Sequence, residues 1–216
     1  SSVKSRKQTI LGSLVLEEEV GPATPGERAG RIFLENLSGA MLGEAFRTLS
    51  RRLQLLFQTF PTKLEELNTC LETPLQLESL DTDLALLYLK TISSWTRSSP
   101  EEMETHIKGL LPYPLQQTLE RELPSTVSLP RRRKPVPITY PPEGVPYIAS
   151  KLQDFFGWEP PTLANGKINL VCHLLAPNGR ACQITTNLEE FWKGSYQQVR
   201  KDLRGRYPKH DWPENP

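Results

Sequence analysis

Apolar side chains recur along this chain with two periods, and the change between them falls near Pro124. Ahead of it, Ala29, Ile32, Phe33 and Leu37 follow helical spacing, as do Leu42, Ala45, Phe46, Leu49, Leu53, Leu56, Phe57 and Phe60. Pro61 resets the chain, and Thr62 stands three residues before Glu65 as in a capping box. Leu64, Leu67 and Leu71 give that helix its stripe. A further helix is predicted over 82–95, with Leu84, Leu87, Tyr88, Ile92 and Trp95 on one side. Ser99-Pro100-Glu101-Glu102 marks another start: a hydroxyl cap, proline in the first turn, then acids on the positive end of the dipole. Pro112 and Pro114 end it, and Leu115, Leu119 and Leu123 carry one more short helix. At the N-terminal end, residues 9–16 read as a strand closed by Glu17-Glu18-Glu19. The Pro/Gly-rich run 21–26 reads as a loop.

Beyond Pro124 the pattern shortens. Residues 126–129 and 136–140 read as short strands flanking the basic run 131–134, which prolines bound on both sides. Ile148, Leu152, Phe155 and Phe156 predict a helix over 144–156, stopped by Gly157. Two β-branched and apolar runs, 168–175 and 182–186, enclose Pro177-Asn178-Gly179 and predict a hairpin. With Asn178-Gly179 as a two-residue loop, Leu175 faces Cys182, Cys172 faces Thr185, and the two cysteines point to opposite faces. One amphipathic helix is predicted over 188–203, striped by Leu188, Trp192, Tyr196, Val199 and Leu203. The tail 206–216 is too rich in proline for regular structure.

These elements predict an α+β protein: an N-terminal helical bundle or array, then a small α/β unit with a β-hairpin and a terminal amphipathic helix. The expected divisions are a strand and loop over 1–26, a helical region over 27–124 and an α+β domain over 125–216. No apolar run approaches the ~20 residues of a spanning helix, so no membrane role is expected. The chain opens on Ser1 and shows no secretory signal pattern, which suggests a piece of a longer protein. Cys70, Cys172 and Cys182 cannot all pair and lack CxxC spacing, so buried, reduced thiols are expected.

Charge adds a direction. Residues 1–130 hold 13 basic and 17 acidic side chains and residues 131–216 hold 13 and 8, against totals of 26 and 25. A basic half points to a polyanion-facing surface. Arg131, Arg132, Arg133 and Lys134, together with Lys193, Arg200, Lys201, Arg204, Arg206 and Lys209, are the candidate phosphate contacts. Lys193, Arg200 and Arg204 would share one face of a continuous helix. Tyr207 and Trp212 interleave these cations and are candidates for base stacking, or for stapling the tail to the core. Enzyme signatures are missing. The sequence has no GxxxxGK[ST], no dinucleotide fingerprint, no GxSxG and no HExxH. No catalytic residue, metal ligand or cofactor is assigned within it.

One stretch carries a resemblance. Val171-Cys172-His173-Leu174-Leu175-Ala176-Pro177-Asn178-Gly179-Arg180, Gln183-Ile184-Thr185, residues 188–192, Tyr207-Pro208-Lys209-His210 and Trp212-Pro213-Glu214-Asn215-Pro216 resemble the closing domain of HrpB-type proteins. These are bacterial DEAH-box ATP-dependent RNA helicases. The likeness is specific over about 136–216, residues 11–17 and 99–129 resemble the region just before that domain, and 20–98 match loosely; Ala181 and Asn187 depart from the usual Pro and Asp. The resemblance implies an accessory region of a helicase whose RecA-like core, with its ATP and Mg²⁺, lies elsewhere. It further implies that the N-terminal strand ends an upstream barrel-like module. The expected partners are RNA, held weakly through its backbone, and the helicase core of the same protein. The resemblance implies a bacterial cytoplasmic setting, with a plastid as the alternative. A second reading makes the chain a protein-interaction module that recruits the helicase to a partner.

Overall fold

The computed structural model describes residues 4–22, 43–91 and 100–216. The chain divides into two units, 1–116 and 117–216.

The first unit opens with a hairpin. Strands β1 (Lys4–Leu11) and β2 (Leu14–Pro22) pair antiparallel around Gly12-Ser13. Gly12 sits at φ +61°, a conformation that glycine reaches without a Cβ penalty, and this allows the tight turn. The expected single strand over 9–16 is therefore wrong. The acidic run continues β2 rather than closing it, because Lys7 and Gln8 stand opposite Glu19 and Glu18. Arg6 Nε lies 3.2 Å from Glu18, and Gln8 donates to the same carboxylate at 2.7 Å. Every β1 residue is exposed.

Helices follow: α1 (Gly43–Thr59), α2 (Pro61–Asn68), α3 (Leu80–Thr91) and α4 (Pro100–Leu110). α1 packs on α2, α3 and α4 through Phe46, Leu49, Leu53, Leu56 and Phe57, all essentially buried. The capping box at Thr62 does not form: α2 starts earlier, at Pro61, with Phe60 at its N-cap and no side-chain cap. Proline's fixed φ already suits the first helical position. The apolar series over 29–42, Ser99, and the segment with Ile92 and Trp95 lie outside the described residues.

Helix α5 (Tyr113–Glu122) runs across the division. Pro114 stands in its first turn, where no intrahelical N–H is lost, rather than ending α4. In the second unit, Leu119 and Leu123 are buried, the Glu122 carbonyl accepts from Ala164 N at 2.8 Å, and Tyr140 OH donates to Pro124 O at 2.7 Å. β3 (Thr126–Val127) and β4 (Val136–Pro137) form a two-residue ladder at the base of the basic loop.

The central sheet contains β5 (Tyr147–Lys151), β8 (Val171–Leu175) and β9 (Ala181–Thr185), in the order β5-β8-β9. A smaller pair, β6 (Thr162–Leu163) and β7 (Ile168–Asn169), lies between β5 and β8 in sequence. β5 corrects the helix expected over 144–156. It runs parallel to β8 with Ile148 and Ser150 turned inward, then a 3₁₀ turn, Leu152–Phe155, buries Leu152 and Phe155. A strand followed by such a turn reproduces the apolar spacing of a helix, and pairing with β8 decides between them.

The hairpin stands where its turn signal placed it, with one change. Cys172 pairs with Thr185 as expected, but Leu175 meets Ala181 across a bulge instead of Cys182. Pro177 is the reason. A proline suits the second position of a type I turn, and Gly179 N donates to Ala176 O to close that turn at 2.8 Å. Gly179, at φ +83°, then takes the left-handed position of the bulge.

The predicted terminal helix is two helices, α6 (Leu188–Lys193) and α7 (Tyr196–Arg206). They separate at Gly194, whose φ −105° and ψ −100° are not helical. A Cβ there would stand 3.1 Å from the Glu190 carbonyl oxygen. Phe191, absent from the predicted stripe, is buried, whereas Trp192 and Val199 are half-buried.

Candidate nucleic-acid interface

Asn187 starts the region that carries most of the candidate cations. Its side chain accepts from Glu190 N at 3.0 Å, and Glu189 and Glu190 occupy the first turn of α6. Lys193 pairs with Glu189 on that same short helix. The break at Gly194 removes Lys193 from the helix bearing Arg200 and Arg204, so the shared face expected of the three is not formed.

Arg200 turns toward the tail. Its Nε donates to Trp212 O at 2.8 Å, its Nη2 lies 3.2 Å from Glu214, and its side chain is 13% exposed. The tail is strapped at further points. Tyr196 OH donates to Pro213 O (2.8 Å), Gln197 to Glu214 O (2.8 Å) and Gln153 to Asp211 O (2.9 Å). Trp212 is 7% exposed and donates through Nε1 to Tyr207 O at 2.8 Å. The tail thus folds back on the unit, and Trp212 seals it. Burial raises the Tyr196 phenol above its ordinary pKa, with the nearby Arg200, Asp211 and Arg131 charges adding smaller, partly opposing effects.

The basic loop is likewise divided. Arg131 lies 2.8 Å from Asp211 and stands over the Phe156 ring, 4.9 Å from its centroid. Arg132 donates to Ser150 Oγ at 3.0 Å and lies 3.6 Å from Asp154. Arg133 and Lys134 are exposed.

Lys201, Arg204, Arg206 and Lys209 all stand exposed on or just after α7, with no ion-pair partner among the described residues. Lys201 and Arg204, three apart, adjoin on the outer side of the helix. Arg206 lies on its flank and lines a cavity of about 290 Å³ between α7 and the β8–β9 connection. Asn178, Arg180, Asp202 and Tyr207 line the same cavity. The structure therefore brings Arg206 and the half-buried Tyr207 together with Arg180, a cation that sequence reasoning missed. The hairpin tip and the last turn of α7 are 26 positions apart in sequence, so only the folded sheet joins them. Asp202 is the one carboxylate there, and Gln198 donates to it at 3.1 Å. The cavity thus has two cations, Arg180 and Arg206, at its rim and one aromatic wall, Tyr207.

Cys182 is itself a lining residue of this cavity, whereas Cys172 and Cys70 are not, and Cys70 is exposed where a buried thiol is expected. Cys172 is fully buried, and burial pushes its thiol up to about 12. Cys182 is half-buried, donates toward Leu174 O at 3.2 Å, and is raised by burial too.

Comparison with known proteins places this arrangement. The profile of the family described as ATP-dependent helicase C-terminal (HrpB_C) matches residues 85–216. The chain is 42% identical over 111 residues to the ATP-dependent RNA helicase HrpB of Escherichia coli K12; this covers 51% of the chain and 14% of that protein. Two solved structures match with 29% identity. The crystal structure of E. coli DExH-box NTPase HrpB does so with a TM-score of 0.68, covering 98% of this chain and 26% of that one. That of E. coli DEAH/RHA helicase HrpB gives 0.58, covering 96% and 26%. The chain spans about a quarter or less of the length of these relatives. The family profile covers more than half of the chain, and the fold agrees over nearly all of it: this chain belongs to the HrpB-type ATP-dependent helicase C-terminal family.

Proposed function

We propose that this chain is the accessory C-terminal portion of an ATP-dependent RNA helicase, in which residues 125–216 form a domain that contacts RNA and modulates its binding or unwinding by a RecA-like core. The observation that supports this reading is the group of exposed cations, Lys201, Arg204, Arg206, Lys209 and Arg180, which have no ion-pair partner in the described structure. Such side chains bind phosphates with little loss of folded-state interactions, because they have none to give up. Tyr207 offers a stacking wall beside them, which suits single-stranded RNA. Arg133 and Lys134 extend the contact. Arg131, Arg132, Lys193, Arg200 and Trp212 serve the domain's own structure, and their part in RNA binding is indirect.

ATP and Mg²⁺ belong to the core of such a helicase. The residues of this chain do not fit them, since no glycine-rich phosphate loop opens any of its helices. The N-terminal hairpin has a separate role in this proposal. Ile10, Leu11, Leu14, Val15, Leu16 and Val20 are about half to two-thirds exposed, a cluster of the kind that marks an interaction surface. It docks against the helicase core of the same protein; a bacterial setting accords with the relatives, and its cytoplasmic location is part of this proposal. The test is amide and side-chain NMR of the chain titrated with oligouridine. Shifts should concentrate on Arg180, Lys201, Arg204, Arg206 and Tyr207; shifts confined to residues 43–110 would overturn the assignment.

A further inference from the structure

A second cavity, of about 420 Å³, shares no lining residue with the cationic one. Two indoles face it, Trp158 and Trp192, both half-buried. Each is fixed in orientation by other rings. Trp158 meets Phe155 edge-on at 5.8 Å, and Trp192 is held edge-on by Phe156 at 5.6 Å and Tyr196 at 5.2 Å. Leu170 lies among the lining residues, and the rim carries two carboxylates, Glu159 and Glu189. Glu189 is shared with Lys193, which holds its carboxyl below the usual range. Glu159 is exposed and has no ion-pair partner in the described structure.

This chemistry is the reverse of the other site's. Carboxylates at the rim repel a phosphate backbone, whereas aromatic faces beside them attract a cation stripped of part of its water. Next to the cavity, the protein shows one backbone that its neighbouring donors accept. Its own extended, proline-containing tail runs along Tyr196 and Gln197, which donate to the carbonyls of Pro213 and Glu214, and Pro216 reaches the cavity wall. Aromatic-lined grooves with carbonyl-directed donors recognise extended proline segments in this manner.

We propose that the cavity between Trp158 and Trp192 is a peptide-binding site for an extended segment rich in proline and arginine, supplied by another protein. The segment lays its prolines on the indoles and sets a guanidinium against Glu159. This makes the unit a protein-docking module on a surface separate from its RNA face.

The experiment measures fluorescence anisotropy of a short labelled Pro-Pro-Arg repeat with the whole 216-residue chain at low salt. A Pro-Pro-Glu repeat and unlabelled oligouridine serve as comparisons. Saturable binding of the arginine repeat and none of the glutamate repeat are expected. Glu159→Lys, at an exposed position, should weaken binding about fivefold or more, and Trp158→Ala should do the same. Indole N–H signals of Trp158 and Trp192 should shift, with that of Trp212 unmoved. Oligouridine added without peptide should leave the indole signals of Trp158 and Trp192 unmoved. No saturable binding up to about 1 mM would overturn the proposal. So would equal binding of the glutamate repeat, or affinity unchanged by both substitutions. Movement of the Trp158 and Trp192 indole signals by oligouridine alone, without peptide, would assign the cavity to nucleic acid instead.

Discussion

Arg200 and Arg204 differ by one helical turn and have opposite duties. Arg200 spends its charge on Trp212 O and Glu214, whereas Arg204 stands in solvent. Arg200→Glu should therefore lower stability by roughly 2 kcal/mol, the worth of a charge-assisted hydrogen bond lost in a partly buried site. Arg204→Glu should stay within about 0.5 kcal/mol. Chemical denaturation of the two variants checks this. Trp212→Ala should be costlier, about 3 kcal/mol, since a buried indole and its bond to Tyr207 O go together. The thiols give a pH prediction. Cys172 keeps its proton in the folded state up to about 12, while the unfolded chain loses it near the ordinary value of 9.0. Above 9.0 the unfolded state binds fewer protons, so stability falls as pH rises from there toward 12. At neutral pH a thiol reagent should label exposed Cys70 first, Cys182 slowly, and Cys172 only on unfolding. The sequence reads all three cysteines as buried, whereas only Cys172 is, and the duties of the arginines likewise depend on where the chain around them lies.

Local chemistry reported turns and helix faces well at the scale of elements, and pairing partners poorly. Pro177-Asn178-Gly179 announced a hairpin because those residues suit few other conformations, and the helical spacing from Phe46 to Phe57 announced α1. Residues 144–156 read as a helix because strand and 3₁₀ turn together mimic a helical stripe; only β8, twenty-odd residues on, decides against it. The break between α6 and α7 was hidden for another reason. Leu188, Trp192, Tyr196 and Val199 keep a helical rhythm across it, and only the close approach at Gly194 reveals it. Glycine geometry yields a test here. Gly179→Ala should destabilise by about 1 kcal/mol, because its φ of +83° disfavours a Cβ, while Gly179→Asn should cost less. Thermal unfolding of the pair would show the difference. Equal effects would mean that the turn relaxes.

The molecule as a whole sets chemically different surfaces on one small chain: an apolar hairpin in the first unit, and a cationic rim and an acidic indole cavity in the second. The charge split along the sequence points to a cationic surface in outline, but not to the four of its ten candidate cations, Arg131, Arg132, Lys193 and Arg200, that the fold engages internally. In the proposed function a weak affinity suffices, because tethering to a motor would raise the local concentration of RNA. The most direct measurement is the affinity of single-stranded and duplex RNA for the chain as a function of salt, with Arg204→Glu and Arg206→Glu combined as the control. One phosphate neutralised by each of Arg180, Lys201, Arg204, Arg206 and Lys209 predicts log K falling against log salt with a slope of about −4.5 for duplex and about −3.5 for single strands, at roughly −0.9 and −0.7 per phosphate. The double variant should bind both RNAs less tightly and with a slope shallower by about 1.5. Binding that ignores salt, or that survives the double substitution unchanged, would contradict the account.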